Sequence, residues 1–440
     1  MKSAYDVVVI GAGAAGLAAA ARLTEAGRSV LLLDARDRIG GRVWTRHEPG
    51  IAVPVELGAE FIHGEAHATR RWIERAGHGS HETLESHFRL INGTLSQQDG
   101  YFEDVQRAFR RHRDRVTDDV SFADFLDVVL KDELSPQARR AALAMAEGFD
   151  AVNTKHASAK AIVDEWTNES FIDASQGRPV GGYSILLESI ARTVSPALSK
   201  TQLQTVVHKV TWERGSVEIE GLAHGAPFVV IAPRVVITVP IGILQAKPGD
   251  TGYIEFDPPL DSKAAALRGL VLGPVIKMTL RFRSPFWEQL NGGGLRDAMF
   301  FHNDEQPFRT FWTTLPVRSS LLIAWAGGPR VSELDAAANV ESLTQKALES
   351  LDSMFGKQWD VADEFVASYC HDWQRDPFSR GAYSYIGVGG GGARAELGKP
   401  MENTLFFAGE ATDDTGEAAT VTGALQSGEH AADELIASWQ

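Results

Sequence analysis

A chain of 440 residues has room for two packed domains of ordinary size, and 44% hydrophobic with 23% charged content is the balance of a soluble globular protein, excluding a disordered chain. No apolar run reaches membrane-span length, and a net charge of −15 repels nucleic acid while mildly favouring cationic ligands, so neither a membrane nor a nucleic acid is expected as partner. Cys370 is the single cysteine, which excludes an intrachain disulfide and a cysteine metal cluster; no metal site is expected, and a reducing cytoplasm is the expected location.

The chain opens on Val7-Val8-Val9-Ile10, a short β-branched run that reads as a central parallel strand. It starts so close to Met1 that no signal peptide is expected. Gly11, Gly13 and Gly16, with Ala15 among them, supply the tight turn, the close backbone approach and the tight helix packing that a pyrophosphate needs at a helix N-terminus. An Ala-rich helix is predicted to about Ala26, stopped by Gly27. A second strand, Ser29 to Leu33, ends on Asp34, where a carboxylate can accept hydrogen bonds from both hydroxyls of a ribose. Strand, glycines, helix, strand and terminal acid together define an adenine dinucleotide site, a fingerprint that NAD and FAD share.

The next residues separate the two. The run from Asp34 through Ala35 and Arg36 to Gly40-Gly41-Arg42 resembles the second flavin signature of the FAD-containing amine oxidases. Physically, Gly40 and Gly41 permit another close backbone approach, and Arg42 offers a fixed cation near phosphate. Glu56 to Gly64 reads by composition as a strand end and loop. It resembles the segment passing beneath the flavin in polyamine oxidases, which puts Gly58, Ala59, Glu60 and Phe61 against the cofactor. His63 stands where animal and yeast members carry histidine. The Gly-Pro-Met-Arg of the amino-acid oxidases, whose Arg clamps a substrate carboxylate, is absent.

From His81 to Val194 the pattern turns helical, with helices predicted over Phe102 to Val116, Ser121 to Leu130 (Ser121 the N-cap) and Pro136 to Phe149. The basic run Arg107 to Arg115 reads as a solvated helix face. Another helix is predicted from Gly181-Gly182-Tyr183 to about Thr193. Leu203 to Val239 reads as strands turning at Arg214-Gly215 and His224-Gly225, and resembles the region in which the backbone of Val207 holds the adenine. Lys277 sits in Val275 to Phe282, whose period of two places it with Thr279 and Arg281 on a solvent face; the resemblance instead makes it the family lysine that bonds through water to flavin N(5).

A strand near Leu321 to Trp325 and a helix from Asp335 to Met354 follow. Gly292 to Gly294 and Gly389 to Gly392 lack strand-to-helix context, so no separate nicotinamide domain is expected. Trp373 to Tyr385 resembles polyamine oxidases and flavin-type histone demethylases; Trp373 would shape the pocket and border the cofactor, and Tyr383 would form one wall of an aromatic cage. Ala382 stands where monoamine oxidases have the cysteine that bonds the flavin. Leu405 to Glu410 and Ala419 to Ala424 resemble the family's closing strand and helix, bringing Gly409, Glu410, Thr420 and Val421 to the flavin. The tail anchor of the mitochondrial monoamine oxidases is missing from the sequence.

The resemblance implies an α/β protein: a Rossmann-type FAD-binding domain from residues 1–80, 195–275 and 395–440, with a discontinuous mixed α+β substrate domain from 81–194 and 276–394. It implies noncovalent FAD, hydride transfer from the carbon beside a neutral amine to the flavin, hydrolysis of the imine to an aldehyde, and reduction of oxygen to hydrogen peroxide. The expected catalytic residues are Lys277, Tyr383, His63 and Trp373. A polyamine or other aliphatic amine is the expected substrate, with Glu60, Asp164, Glu165 and Glu169 as candidate partners for distal ammonium groups. The alternatives are a monoamine oxidase for aryl or alicyclic amines, a desaturase or protoporphyrinogen oxidase, and a non-catalytic flavoprotein interaction module. A homodimer is compatible with the sequence but not required by it.

Overall fold

The computed structural model describes residues 4–98, 103–113, 116, 118–168, 176–334, 339–356 and 358–439. Every residue of Val7–Ile10 is buried, because the strand is the middle one of a five-stranded sheet ordered Leu405–Phe407, Arg234–Ile237, Val7–Ile10, Val30–Leu33, Ser199–Gln202. All neighbours run parallel, with Val7 opposite Arg234 and Val30. Alternation decides what each side chain meets. Val7, Val9, Val30 and Leu32 face the helices Ala14–Glu25, Tyr183–Thr193 and Val421–Ala437. Val8, Ile10, Leu31 and Leu33 face a meander of Thr205–Glu213, Ser216–Ala223 and Ala226–Ala232, which turns where Gly215 and Gly225 take positive φ.

Small residues let the first and last helices touch backbone to backbone. A Cβ on Gly428 would lie 2.1 Å from the carbonyl oxygen of Ala15, and one on Gly16 only 1.8 Å from that of Gly11. The C-terminal helix therefore closes over a turn built more than 400 residues earlier in the chain.

A second sheet of seven strands runs Phe365–Cys370, Val275–Phe282, Leu321–Gly327, Thr310–Trp312, Phe300–His302, His87–Ile91, Thr94–Gln97, antiparallel except where Phe300–His302 meets His87–Ile91. One face packs Met278, Leu280, Phe282, Phe301 and Phe311 against Trp287 and the helix Val340–Phe355. That helix is capped by Asn339, and residues 335–338 of the expected helix lie outside the described residues.

Four short helical segments form a further cluster around Phe109, Phe122, Phe125 and Trp166. Ser121, Ser135 and Ser158 each cap one of them by accepting an N–H three residues on. The first is Glu103–His112, with Arg107, Arg110 and Arg111 exposed as a solvated face; residues 102, 114 and 115 of the expected helix lie outside the described residues. Among the described residues no helix is long and apolar enough to cross a membrane.

Gly16→Ala should destabilise the protein by more than the ~1–3 kcal/mol usual for an overpacked side chain, since the atom its Cβ meets is backbone rather than a movable side chain. Thermal unfolding of the variant beside the parent measures this.

Candidate active site

At the C-terminal ends of the parallel strands lies a cavity of about 940 Å³, bordered by Ile10, Leu33, Thr238 and Gly409, each at or just past a strand end. It collects nearly every residue singled out in the sequence: Gly11, Gly13, Ala15, Asp34, Ala35, Arg36, Gly40, Gly41 and Arg42 at one end, with Val207 beside them. Gly58, Ala59, Glu60, Phe61, His63, Lys277, Trp373, Tyr383, Gly409, Glu410, Thr420 and Val421 line the rest. Gly16 does not line it; its lack of a side chain serves the helix-to-turn packing instead.

The dinucleotide end is built from unsatisfied backbone. Gly13 begins the helix Ala14–Glu25 with no side-chain cap, so the first N–H groups are left for an anion at the positive end of the helix. The Asp34 carboxylate accepts N–H bonds from Ala12 and Arg36, 2.8 Å each, one on either oxygen, which fixes its plane and leaves further lone pairs. Burial raises its pKa, while those two N–H groups and the cations of Arg36 and Arg38 oppose the shift. Arg38 pins the Gly40-Gly41 turn by donating to the carbonyls of Gly41 and Val43. Arg42 is committed within the protein: it donates to Glu410, 2.9 Å, and to the carbonyl of Ala382, 2.7 Å, tying three distant segments together.

Lys277 is not on a solvent face. Seven of the eight residues of Val275–Phe282 are buried, because the face opposite the main core packs on the loop after Glu56. The Lys277 ammonium donates to the carbonyl of Gly58, 3.0 Å, and forms an ion pair with Glu60 Oε2, 2.6 Å. Glu60 is occupied on its other oxygen as well, accepting from Arg178 Nε, 2.9 Å, and Trp312 Nε1, 3.0 Å. Burial alone would raise the carboxyl's pKa, but Lys277 and Arg178 overcome it and hold it down to about 2. Glu60 is thus part of the frame, one oxygen accepting two hydrogen bonds and the other ion-paired with Lys277. Glu56, just behind, accepts from the Tyr183 N–H and the Thr45 hydroxyl, and burial pushes its pKa up to about 7.

Tyr383 and Trp373 are set by backbone carbonyls: the Tyr383 hydroxyl donates to Phe149, 2.5 Å, and the Trp373 indole to Leu57, 2.8 Å. His63 packs edge-on against Phe149 with 5.3 Å between ring centres, and burial lowers its pKa to about 4, so the ring is neutral at physiological pH. Thr420 caps the final helix, accepting from Gly423 N and donating to the carbonyl of Glu417. Asp150, Asp164 and Glu165 also border the cavity; Asp164 pairs with Arg113, and Glu169 lies outside the described residues. Burial raises the pKa of both Asp150 and Glu165, and Glu165 raises that of Asp150 further. Arg178, Trp312, Phe149 and Asp150 carry no motif that marks them in the sequence. Arg178, between Gly177 and Pro179, had only the neighbouring Gly-Gly turn as a pointer.

The chain belongs to the flavin containing amine oxidoreductases, whose family model matches residues 14–436. Among its relatives it is 29% identical to lysine-specific histone demethylase 1 homolog 3 of Arabidopsis thaliana, over 98% of this chain but 30% of that protein's length. It is likewise 29% identical to probable polyamine oxidase 4 of the same plant, over 93% of this chain and 82% of the relative. The fold matches that of wild-type putrescine oxidase bound to putrescine with a TM-score of 0.80 at 22% identity, covering 98% of this chain and 99% of the other. FAD is the cofactor, and the uncapped helix at Gly13, the fixed Asp34 carboxylate and the side-chain-free approach at Gly40-Gly41 fit its adenosine and pyrophosphate.

Ala382 borders the cavity without a thiol, and the one cysteine, Cys370, is outside its lining with its thiol pushed up to about 12 by burial. FAD should therefore be held noncovalently. Acid precipitation is expected to leave the yellow colour in the supernatant; colour retained in the pellet contradicts this.

Proposed function

We propose that this chain is an FAD-dependent amine oxidase acting on an extended aliphatic amine, such as a di- or polyamine. The observation that carries the reading is the Lys277 ammonium, anchored by Gly58 and Glu60 and bordering the same cavity as Tyr383, Trp373 and the dinucleotide turn. FAD, when bound, supplies the acceptor for a hydride from the carbon beside the amine nitrogen. The rest is the work of the chain's residues. The neutral His63 accepts a hydrogen bond from the amine without repelling it, and excludes water together with Phe149. Tyr383, its hydroxyl held by Phe149, turns a ring toward the amine, and Trp373 fixes the wall next to it.

Lys277 donates one N–H to Gly58 and is ion-paired with Glu60, and a remaining N–H would hold a water beside bound FAD. Water then hydrolyses the imine to an aldehyde with release of the nitrogen as amine or ammonia, and oxygen takes up the two electrons removed from the substrate, with two protons, to leave as hydrogen peroxide. Residues 1–80, 195–275 and 395–440, with the helix Tyr183–Thr193 that packs in the same core, form the flavin domain in this reading, and the other intervening segments bind substrate. The aliphatic preference is supported by Asp150 and Glu165 on the cavity wall and by a threonine at position 420, where a tight aromatic clamp would need a second ring.

Peroxide release measured over an amine panel tests the reading. Spermine, spermidine or putrescine should outperform benzylamine and cyclohexylamine. A preference of about tenfold or more for either cyclic amine, roughly 1.4 kcal/mol, would overturn the substrate assignment, and no peroxide from any amine would overturn the activity.

A further inference from the structure

Glu60 divides its carboxylate between two tasks. One oxygen is fastened to the frame: it accepts from Arg178 Nε and Trp312 Nε1, and Arg178 is itself immobilised by donating to the carbonyls of Thr313, 3.1 Å, and Leu315, 3.0 Å. The Phe61 ring covers the guanidinium at 4.4 Å. Among the described residues the other oxygen is paired with Lys277 alone, at 2.6 Å. Both side chains of that pair are almost completely buried, so the ammonium has no bulk water to fall back on.

A lysine carries four rotatable bonds, and in a polar cavity its ammonium would sample several positions. Here a hydrogen bond to Gly58 behind and the ion pair with Glu60 beside confine the ammonium between them. Gly58 is equally fixed, since a Cβ there would lie 1.8 Å from the Arg42 carbonyl oxygen.

We propose that Glu60 is a positioning residue for the redox step: anchored through Arg178 and Trp312, it aims the Lys277 ammonium at the flavin. This rests on the reading of Lys277 given above. Glu60 touches neither amine nor oxygen, and it acts only through the lysine. Its effect must therefore vanish when the lysine is gone, which an independent structural role would not require.

The test uses purified holoproteins: the parent, Glu60→Gln, Lys277→Met and the double variant. Two quantities are read, the visible absorption spectrum of the bound oxidised FAD and the rate of its anaerobic reduction by amine. Glu60→Gln keeps the shape and removes the charge. It should shift the flavin absorption bands and slow reduction by ~10-fold or more, at the lower edge of what a lost acid–base element costs, with the amine concentration for half-maximal rate little changed. In the Lys277→Met background the same substitution should add no further slowing and no spectral change. A Glu60→Gln protein with the parent's spectrum and rate overturns the proposal, as does a double variant whose losses multiply. If Glu60→Gln does not hold FAD, Glu60→Asp replaces it; withdrawing the carboxylate by one methylene should give a smaller loss of the same kind, and parental behaviour overturns the proposal. A normal Lys277→Met protein would sink the earlier reading of the lysine itself. A parental Glu60→Gln beside an impaired Lys277→Met sinks only this inference.

Discussion

A charged lysine can be buried at the wall of a cavity only if a counter-ion comes with it, and the position of Glu60 is the constraint on which the half of this molecule that carries Lys277 depends. Removing one partner from a buried ion pair typically costs ~3–5 kcal/mol, a large share of the stability of an ordinary domain, so neither Lys277 nor Glu60 is free to vary alone. Satisfying the pair requires three elements at once. The strand Val275–Phe282 carries the lysine, the segment after Glu56 carries the acid, and Trp312, with Arg178 beside it, ties the acid to the central strand of the seven-stranded sheet. The loop bearing Gly58, Phe61 and His63 is held in place by the same contacts.

The dinucleotide end obeys a different constraint, close approach of backbone. Glycines at 11, 16 and 428 let the turn, the first helix and the last helix meet without side chains between them. Arg42 then links the second glycine pair to Glu410 on the closing strand's far side. The two ends of the chain must be in place together before the cavity has its shape. Residues near 11 and residues 409 to 424 accordingly border one cavity although they lie at opposite ends of the sequence.

The glycine turn, its flanking strands, the meander and the helices after Ser121 and from Pro136 were legible because each is specified within about twenty residues by period and punctuation. Lys277 shows where such reading stops. A period of two reports that one face of a strand is polar, and it cannot distinguish water from a polar cavity on that side. Resemblance to the family, rather than the pattern, placed the lysine at the cavity. The partners of Glu60 were out of reach for another reason: Arg178 and Trp312 lie 118 and 252 residues away in sequence, and no local signal records such a pairing. Glu60 accordingly read as a cofactor-lining residue and a candidate partner for a distal ammonium, whereas its carboxylate is paired with Lys277 and Arg178.

The central claim is that the Lys277 ammonium serves the flavin chemistry beyond its part in the buried pair, and stopped-flow kinetics of Lys277→Met tests it most directly. Methionine fills nearly the same volume without charge. The variant should fold and keep FAD, while anaerobic reduction by amine, reoxidation by oxygen, or both, slow by ~10² to 10⁴-fold, the range for a lost acid–base element. Both half-reactions running within about threefold of the parent, far short of that loss, would contradict the account.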